Sequence, residues 1–556
     1  MPQPQEGATN TDASLENLIP EYKTLSNLRV IKNLVVLSVG CLLAFCAYDG
    51  LVMLQSTLNQ DGGIGVISVA VQFGFSCITA LLLPEYLFEK IGCKSVITIC
   101  LVLFVPYIAS NFYPHWSLMI PASILIGLAN SLYWAAQSAY LNHLSILYSW
   151  NSKFNKIVAS IERGTESAEK TVCQEMGTNA QFPNESKRDD NILLNTDFEK
   201  ISANNQSNLK EKIERNLHEC IKAPRNVEDF VKKVPISSIK SVSTKSDQKM
   251  SELLASTTAR FFGVHGLIYQ TCHVWGNLLS YYVLRIGAVE DEMGVSNTSC
   301  HCGFDFCNFQ TNCSTNNLRE PREDLRNLLT GIFVAISVLA VIFILFGLDE
   351  VKNRKKNVTI SWKYIAATCN QIKDKRQLLL IPMSLNIGVM QGFVMGDFTK
   401  DYVACAWRVH HVGLVTACLG ATLALSSSVS GCLVKHLGRR TIFLAAKGLN
   451  IAAVIAMYLW KPTSSETYMF FIVSGMLGAV MGTFWSQLRA FYGVLFKNKE
   501  GAAFANYQLW HAIGMAMTFA YSSFICTAIK IYIYLAFSSV GMIGYLLAEK
   551  LHSSEK

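Results

Sequence analysis

Twelve times this sequence returns to a mainly apolar run of about the 20 residues that a helix needs to cross the hydrocarbon core of a bilayer. The runs lie near 31–51, 64–87, 95–113, 117–142, 260–286, 326–348, 376–398, 411–434, 441–460, 468–494, 502–527 and 529–548. In lipid, backbone amides must pair within their own segment, so runs of this length read as helices. The expected fold is an all-α polytopic membrane protein with about 12 transmembrane helices in two six-helix halves. Only 16% of the residues are charged, below the roughly 25% of an average soluble chain. The net charge of +8 sits in the gaps between runs, with no basic stripe interleaved with aromatics, which argues against nucleic acid as a partner.

The expected organisation is a cytoplasmic tail over 1–30, helices 1–4 over 31–142, and a long cytoplasmic loop over 143–258. Helices 5–6 follow over 259–348, then a linker over 349–375, helices 7–12 over 376–548 and a tail over 549–556. No A-x-A site follows a short apolar h-region, so the first run is read as a retained span. The stretch 150–258 is rich in Lys, Glu, Asn and Ser and poor in aromatics, a composition that predicts disorder. Short loops carrying "EKIGCK", "VKNRKK", "KHLGRR" and "KNKE" all fall on one side, and the positive-inside bias makes that side cytoplasmic.

The loop 286–325 then lies outside. It holds Cys300, Cys302, Cys307 and Cys313, disulfide candidates with three connectivities among them, and glycosylation sequons at Asn297 and Asn312. Sequons at Asn184 and Asn205 fall on the cytoplasmic side and are expected to stay bare. The spacing lacks a paired C-x-x-C, which disfavours zinc in the loop.

The two halves repeat. At an offset of 346, "FEKIGCKSVI" (88–97) aligns with "VKHLGRRTIF" (434–443), placing Gly92 on Gly438 and Lys94 on Arg440. Repeated halves are a feature of secondary transporters. The loop resembles the cytoplasmic G-x-x-x-D-R-x-G-R-K motif of the major facilitator superfamily. Glu89, Lys90, Gly92 and Lys94 keep part of the first copy, with Glu85 in place of its leading glycine. Gly431, Gly438, Arg439 and Arg440 keep the second, with Lys435 in place of the acid. The motif would turn the chain at glycine and latch helix ends across the halves by charge; a plain basic loop would look similar.

More specific stretches are "YDGLVMLQSTLNQDGGIG" (48–65), "PASILIGLANSLYWAAQSAYL" (121–141), "HVWGNLLS" (273–280) and "FYGVLFKNKEGAAFANYQLWHAIG" (491–514). Together these resemble the uncoordinated-93 family, an atypical branch of that superfamily, and its A-type members above all. The resemblance spans 31–548 apart from the 150–258 insertion, and Cys302-x4-Cys307 fits the A-type pattern. It implies regulation or escort of other membrane proteins. One branch is linked to a two-pore potassium-channel complex, so potassium channel subunits are partners by analogy. The plasma membrane is the implied location, with endosomal or endoplasmic reticulum membranes as alternatives.

Polar residues inside the runs are the candidate site. On a helix Asn506 and Trp510 lie at i, i+4, and Gly514 extends their face, suiting either close helix packing or a cavity wall. Gln55, Asn59, Trp134, Gln137, Trp275, Asn277, Gln391, Trp485, Gln487 and Gln508 offer the same choice. A cavity lined by tryptophans and amides would suit a neutral or cationic small solute. Arg489 is expected either to meet an acid or anionic ligand, or to snorkel; Lys447 is expected to snorkel. Asp397 and Asp401 could bind a cation, or be neutralised by Lys400. No Walker A loop, H-E-x-x-H or nucleophile–base set is present, so neither an enzyme nor a cofactor is expected. The filter sequence Thr-Val-Gly-Tyr-Gly is also missing, so the chain is not itself that kind of potassium channel.

Overall fold

The chain folds as a bundle of apolar helices, described by a computed structural model over residues 25–82, 90–175, 253–254, 256–288, 301–307, 316–318, 320–351, 370–496 and 500–554. Among these residues, twelve helices fall on the twelve apolar runs. The first half holds α1 (Asn27–Val52), α2 (Ile64–Leu82), α3 (Cys93–Ala109), α4 (Trp116–Glu175), α5 (Cys272–Ala288, continuing a helical stretch over 256–270) and α6 (Glu323–Gly347). The second holds α7 (Lys375–Gly392), α8 (His410–Leu437), α9 (Arg439–Leu459), α10 (Thr467–Leu495), α11 (Glu500–Ser522) and α12 (Thr527–Ser554). Among the described residues, nine of these are long and apolar enough to cross a membrane, and α2 is shorter but apolar.

Within each half, α1 packs on α5 and α6, and correspondingly α7 packs on α11 and α12. Between halves the principal contacts are α2 with α11 and α5 with α8. Exchanging each helix for its counterpart six places on maps the first of these pairs onto the second, the three-dimensional form of the sequence repeat. The repeat also fixes backbone. Gly92 and Gly438, each just before a helix, have φ of +86° and +77° with ψ of 150° and 155°. Side chains other than glycine rarely adopt that region, which is why the turn holds glycine in both copies.

The spans form one compact unit, residues 1–148 and 257–556, and 149–256 forms a second. α4 runs on to Glu175, well past the expected end at 142. Residues 151–175 hold four Glu and three Lys, good helix formers, and no Pro, so the loop expected there begins as helix. At the far end of the predicted disordered stretch, 253–254 and 256–258 are also helical, and the remainder lies outside the described residues.

α7 does not end where its regular turns do. It continues as a π-helix over Phe393–Ala404, with a last turn at Cys405–Trp407. Long π-helices are rare and tend to appear at functional positions.

Candidate central cavity and buried polar clusters

Three polar assemblies lie inside the bundle. The first is a cavity of about 590 Å³ between the halves, walled by α1, α2, α4, α5, α7, α10 and α11. Trp134, Gln391, Trp485, Arg489 and Gln508 reach it from the sequence-predicted set. Arg489 neither pairs with an acid among the described residues nor snorkels. Its guanidinium stacks 4.4 Å from the Trp485 ring centroid and 5.5 Å from that of Tyr507, a cation–π arrangement. Gln391 Oε1 meets His511 Nε2 at 2.9 Å. A second chamber of about 510 Å³ shares Trp134, Tyr269, Trp485 and Arg489 and includes Gln137, whose amide meets His265. Gln137 and Ser486, further along α4 and α10 than Trp134 and Trp485, extend the space along those two helices.

The same wall holds residues that are not among the candidate polar positions. Asp49 ends a turn of α1 opposite His273 of α5, with Asp49 Oδ2 to His273 Nδ1 at 3.6 Å, and the Cys272 thiol donates to Asp49 Oδ2 at 3.5 Å. All three are buried. Asp49 precedes the other two by more than 220 residues, and only the α1–α5 crossing brings them together.

The second assembly is an ion cluster. Lys530 of α12 places Nζ 2.7 Å from Asp397 Oδ1 and 3.3 Å from Asp401 Oδ2, with Lys530 3% exposed and each aspartate 1%. Ser522 donates to Asp397, and Thr527 donates to Asp401 at 2.6 Å. Beside Lys400, the neighbour in sequence, a second ammonium from five helices further along sits between the two carboxylates. The expectation for Lys447 is corrected. Rather than snorkelling, its ammonium donates to Ser538 Oγ at 2.7 Å.

The third assembly caps the outer face. Cys302 bonds to Cys405 at the end of α7, and Cys307 bonds to Cys526 between α11 and α12. The expected pairing within the α5–α6 loop is therefore wrong for these two, since both partners lie in the second half; Cys300 and Cys313 lie outside the described residues, as do Asn297 and Asn312. Phe304 packs edge-on against Tyr458 and Tyr532, and Thr527 N–H donates to Phe306 O at 3.0 Å. From the first half, the Gln60 side chain donates to Leu318 O and its backbone N–H to Glu320, both at 2.8 Å. The cap thus braces both halves, and its disulfides mark this face as the one in an oxidising compartment.

The remaining predicted residues scatter. Gln55, Asn59 and Asn111 form a closed amide triad, with Asn111 Oδ1 accepting from Gln55 at 2.8 Å and from Asn59 at 2.7 Å, joining the outer ends of α1 and α3 away from the cavity. Trp275 is 59% exposed and faces outward, so it belongs to neither cavity nor helix interface. Asn277 is buried and donates to His273 O, Gln487 donates to Ser430 Oγ at 3.1 Å, and Asn506 donates to Ala502 O at 3.0 Å. Trp510 stays outside the cavity wall, while Gly514 abuts the backbone of α7 at Leu385 and Gly388.

In the loop motif, Gly92 faces the Glu350 carboxylate after α6, and Arg439 lies over the Phe491 ring of α10, each within its own half. Gly431 has open space around it, and Glu89 lies outside the described residues.

Two six-helix halves related by an internal repeat, with a cavity between them, define a major-facilitator-type membrane protein. Solved structures of this fold include the nucleoside transporter NupG, at TM-score 0.50 and 12% identity, covering 93% of this chain and 99% of that one. The xylose transporter XylE from E. coli, in a partially occluded inward-open conformation, aligns at TM-score 0.50 and 10% identity, covering 94% and 98%. Residues 250–546 match the family profile of the ion channel regulatory protein UNC-93. Protein unc-93 homolog A of Xenopus laevis is 30% identical over 538 residues, 95% of each chain, and its Homo sapiens counterpart is 29% identical over 532 residues, 94% of each. The unc-93 protein of Caenorhabditis elegans, named provisionally as a potassium channel regulatory protein, is 22% identical over 94% of this chain and 61% of that one. The chain belongs to the UNC-93 family.

Proposed function

We propose that this protein is a regulatory or accessory subunit of an ion channel, with a potassium channel as its partner. The observation carrying this reading is the match of 250–546 to a family described by ion-channel regulation. The capped outer face agrees with it. Alternating access in this fold requires the halves to rock apart on each side in turn. A loop of the first half bonded at two points to the second, and held by Gln60 as well, opposes opening on the outer side. A braced bundle is suited to presenting fixed helical faces to a partner in the bilayer.

The test is current recording from cells expressing a panel of two-pore potassium channels, with and without this protein, paired with surface labelling of each channel. A changed current at equal surface abundance supports regulation. A changed abundance supports escort of the channel instead. No change in either, with the protein purifying alone under mild detergent, refutes both.

A second reading, secondary transport of a small organic solute, is favoured by the Arg489–Trp485 wall of the cavity. It predicts that Arg489→Gln abolishes uptake at unchanged surface expression.

A further inference from the structure

We propose that the central cavity holds a binding site for a zinc-class divalent metal ion, with Asp49, Cys272 and His273 as ligands and the fourth position open to the cavity. Three observations converge on it, independent of any channel partner.

The first is geometry. The three ligand atoms lie within 4.8 Å of one another. A tetrahedral zinc ion takes bonds of about 2.0 Å to carboxylate oxygen, about 2.1 Å to imidazole nitrogen and about 2.3 Å to thiolate sulfur, which sets oxygen–sulfur and oxygen–nitrogen edges of roughly 3.5 and 3.3 Å. Asp49 Oδ2 lies 3.5 Å from Cys272 Sγ and 3.6 Å from His273 Nδ1. Both separations fit edges of one tetrahedron, and the 3.6 Å one is too long for a good hydrogen bond.

The second is an unmet need. Among the described residues, His273 Nδ1 is buried without a hydrogen-bond partner, and it points at Asp49. A native fold rarely leaves such an atom unmatched unless a ligand completes it.

The third is charge. A divalent ion held by one carboxylate, one thiolate and one neutral imidazole is electrically neutral overall, the state a low-dielectric interior favours. Binding releases the Cys272 thiol proton to solvent, so protons and charge balance. Asp49 and His273 line the cavity wall while Cys272 lies behind them, which gives the ion a way in and leaves one coordination position facing open space. Three protein ligands with an open fourth position characterise exchangeable rather than purely structural sites.

The test uses the full-length protein in detergent, stripped with a chelator and titrated with Co²⁺ as the optical probe and Zn²⁺ as competitor. The expected result is tetrahedral ligand-field absorption together with a thiolate-to-cobalt charge-transfer band, both bleached by Zn²⁺. Cys272→Ser should abolish the charge-transfer band, and Asp49→Asn or His273→Gln should weaken Co²⁺ binding by at least ~10-fold, the lower end of what even outer-shell losses cost. Cys77→Ser and Cys418→Ser, which remove free thiols elsewhere in the bundle, should leave the spectrum unchanged. Retention of the band in Cys272→Ser, or only octahedral absorption in the wild type, overturns the proposal. Should a variant fail to fold, zinc-edge X-ray absorption of the wild-type protein decides: one sulfur in the first shell supports the site, and none or more than one refutes it.

Discussion

Removing the Lys530 ammonium should cost this fold more than any other single charge deletion in the bundle. The ammonium sits 2.7 and 3.3 Å from two carboxylates that water does not reach. At an effective dielectric constant of about 20, those contacts are worth roughly 6 and 5 kcal/mol of attraction. Desolvating three ions costs several kcal/mol each, which offsets most of this gain. The asymmetry lies in what a deletion leaves behind. Lys530→Met strands Asp397 and Asp401 beside each other, and losing one partner of a buried ion pair costs about 3–5 kcal/mol. The triple variant Asp397→Asn, Asp401→Asn, Lys530→Met removes every charge of the cluster together and should recover most of that loss. Lys400→Gln, which leaves Lys530 seated, should cost clearly less. Reversible denaturant unfolding of the purified protein, followed by tryptophan fluorescence, reads the wild type and all three variants. A Lys530→Met variant within about 0.5 kcal/mol of wild type would refute the assignment, as would strictly additive costs in the triple variant.

Three further outcomes follow from other parts of the structure. Gly514→Val should destabilise by about 1–3 kcal/mol, because its side chain would enter the α7 backbone at Leu385; the same unfolding assay measures it. Beyond the spans, burial pushes the Asp349 carboxyl up, but the Lys32 hydrogen bond and charge and the Asn33 amide outweigh it and hold the group below its ordinary value. Its stabilising share is therefore complete above the unfolded value of about 3.9 and disappears as pH falls through the lower folded value. Both side chains are substantially exposed, at 46% and 34%, so solvent screening keeps that share under about 1 kcal/mol, and Lys32→Met should flatten the acid limb of a stability–pH curve by no more than this. Peptide mapping without reduction should recover Cys302 joined to Cys405 and Cys307 joined to Cys526, and replacing either pair should cost about 2–5 kcal/mol in unfolding measurements.

The spans, their division into halves and the glycine turn at 92 and 438 were legible because each is a local signal. A run of apolar residues or a turn glycine carries its meaning within a few neighbours. The polar assemblies were not, because each depends on which helices cross. Asp397 and Asp401 stand out in α7, yet the ammonium between them is 129 residues beyond the second of them, while Lys400 lies beside them in sequence. Asp49 and the Cys272-His273 pair look unrelated in sequence until α5 is laid against α1. Trp275 misled in the opposite way: an aromatic next to polar residues reads like a cavity wall, but one helical step turns it outward. An alternation of buried and exposed positions along α5 was the available clue, and Asn277, two residues on, sits on the inner face.

The outer cap also imposes a schedule on the chain's synthesis. Cys307 emerges early, but its partner follows 219 residues later, in the turn before the last helix. Until α11 has entered the membrane and delivered Cys526 to the same side, that thiol lacks the partner it has in the finished fold. The first half therefore cannot be sealed by its own completion; it waits for nearly the whole of the second. A chain truncated between Cys307 and Cys526 would lack the bond that ties this loop to the second half, a chemical mark of an unfinished molecule.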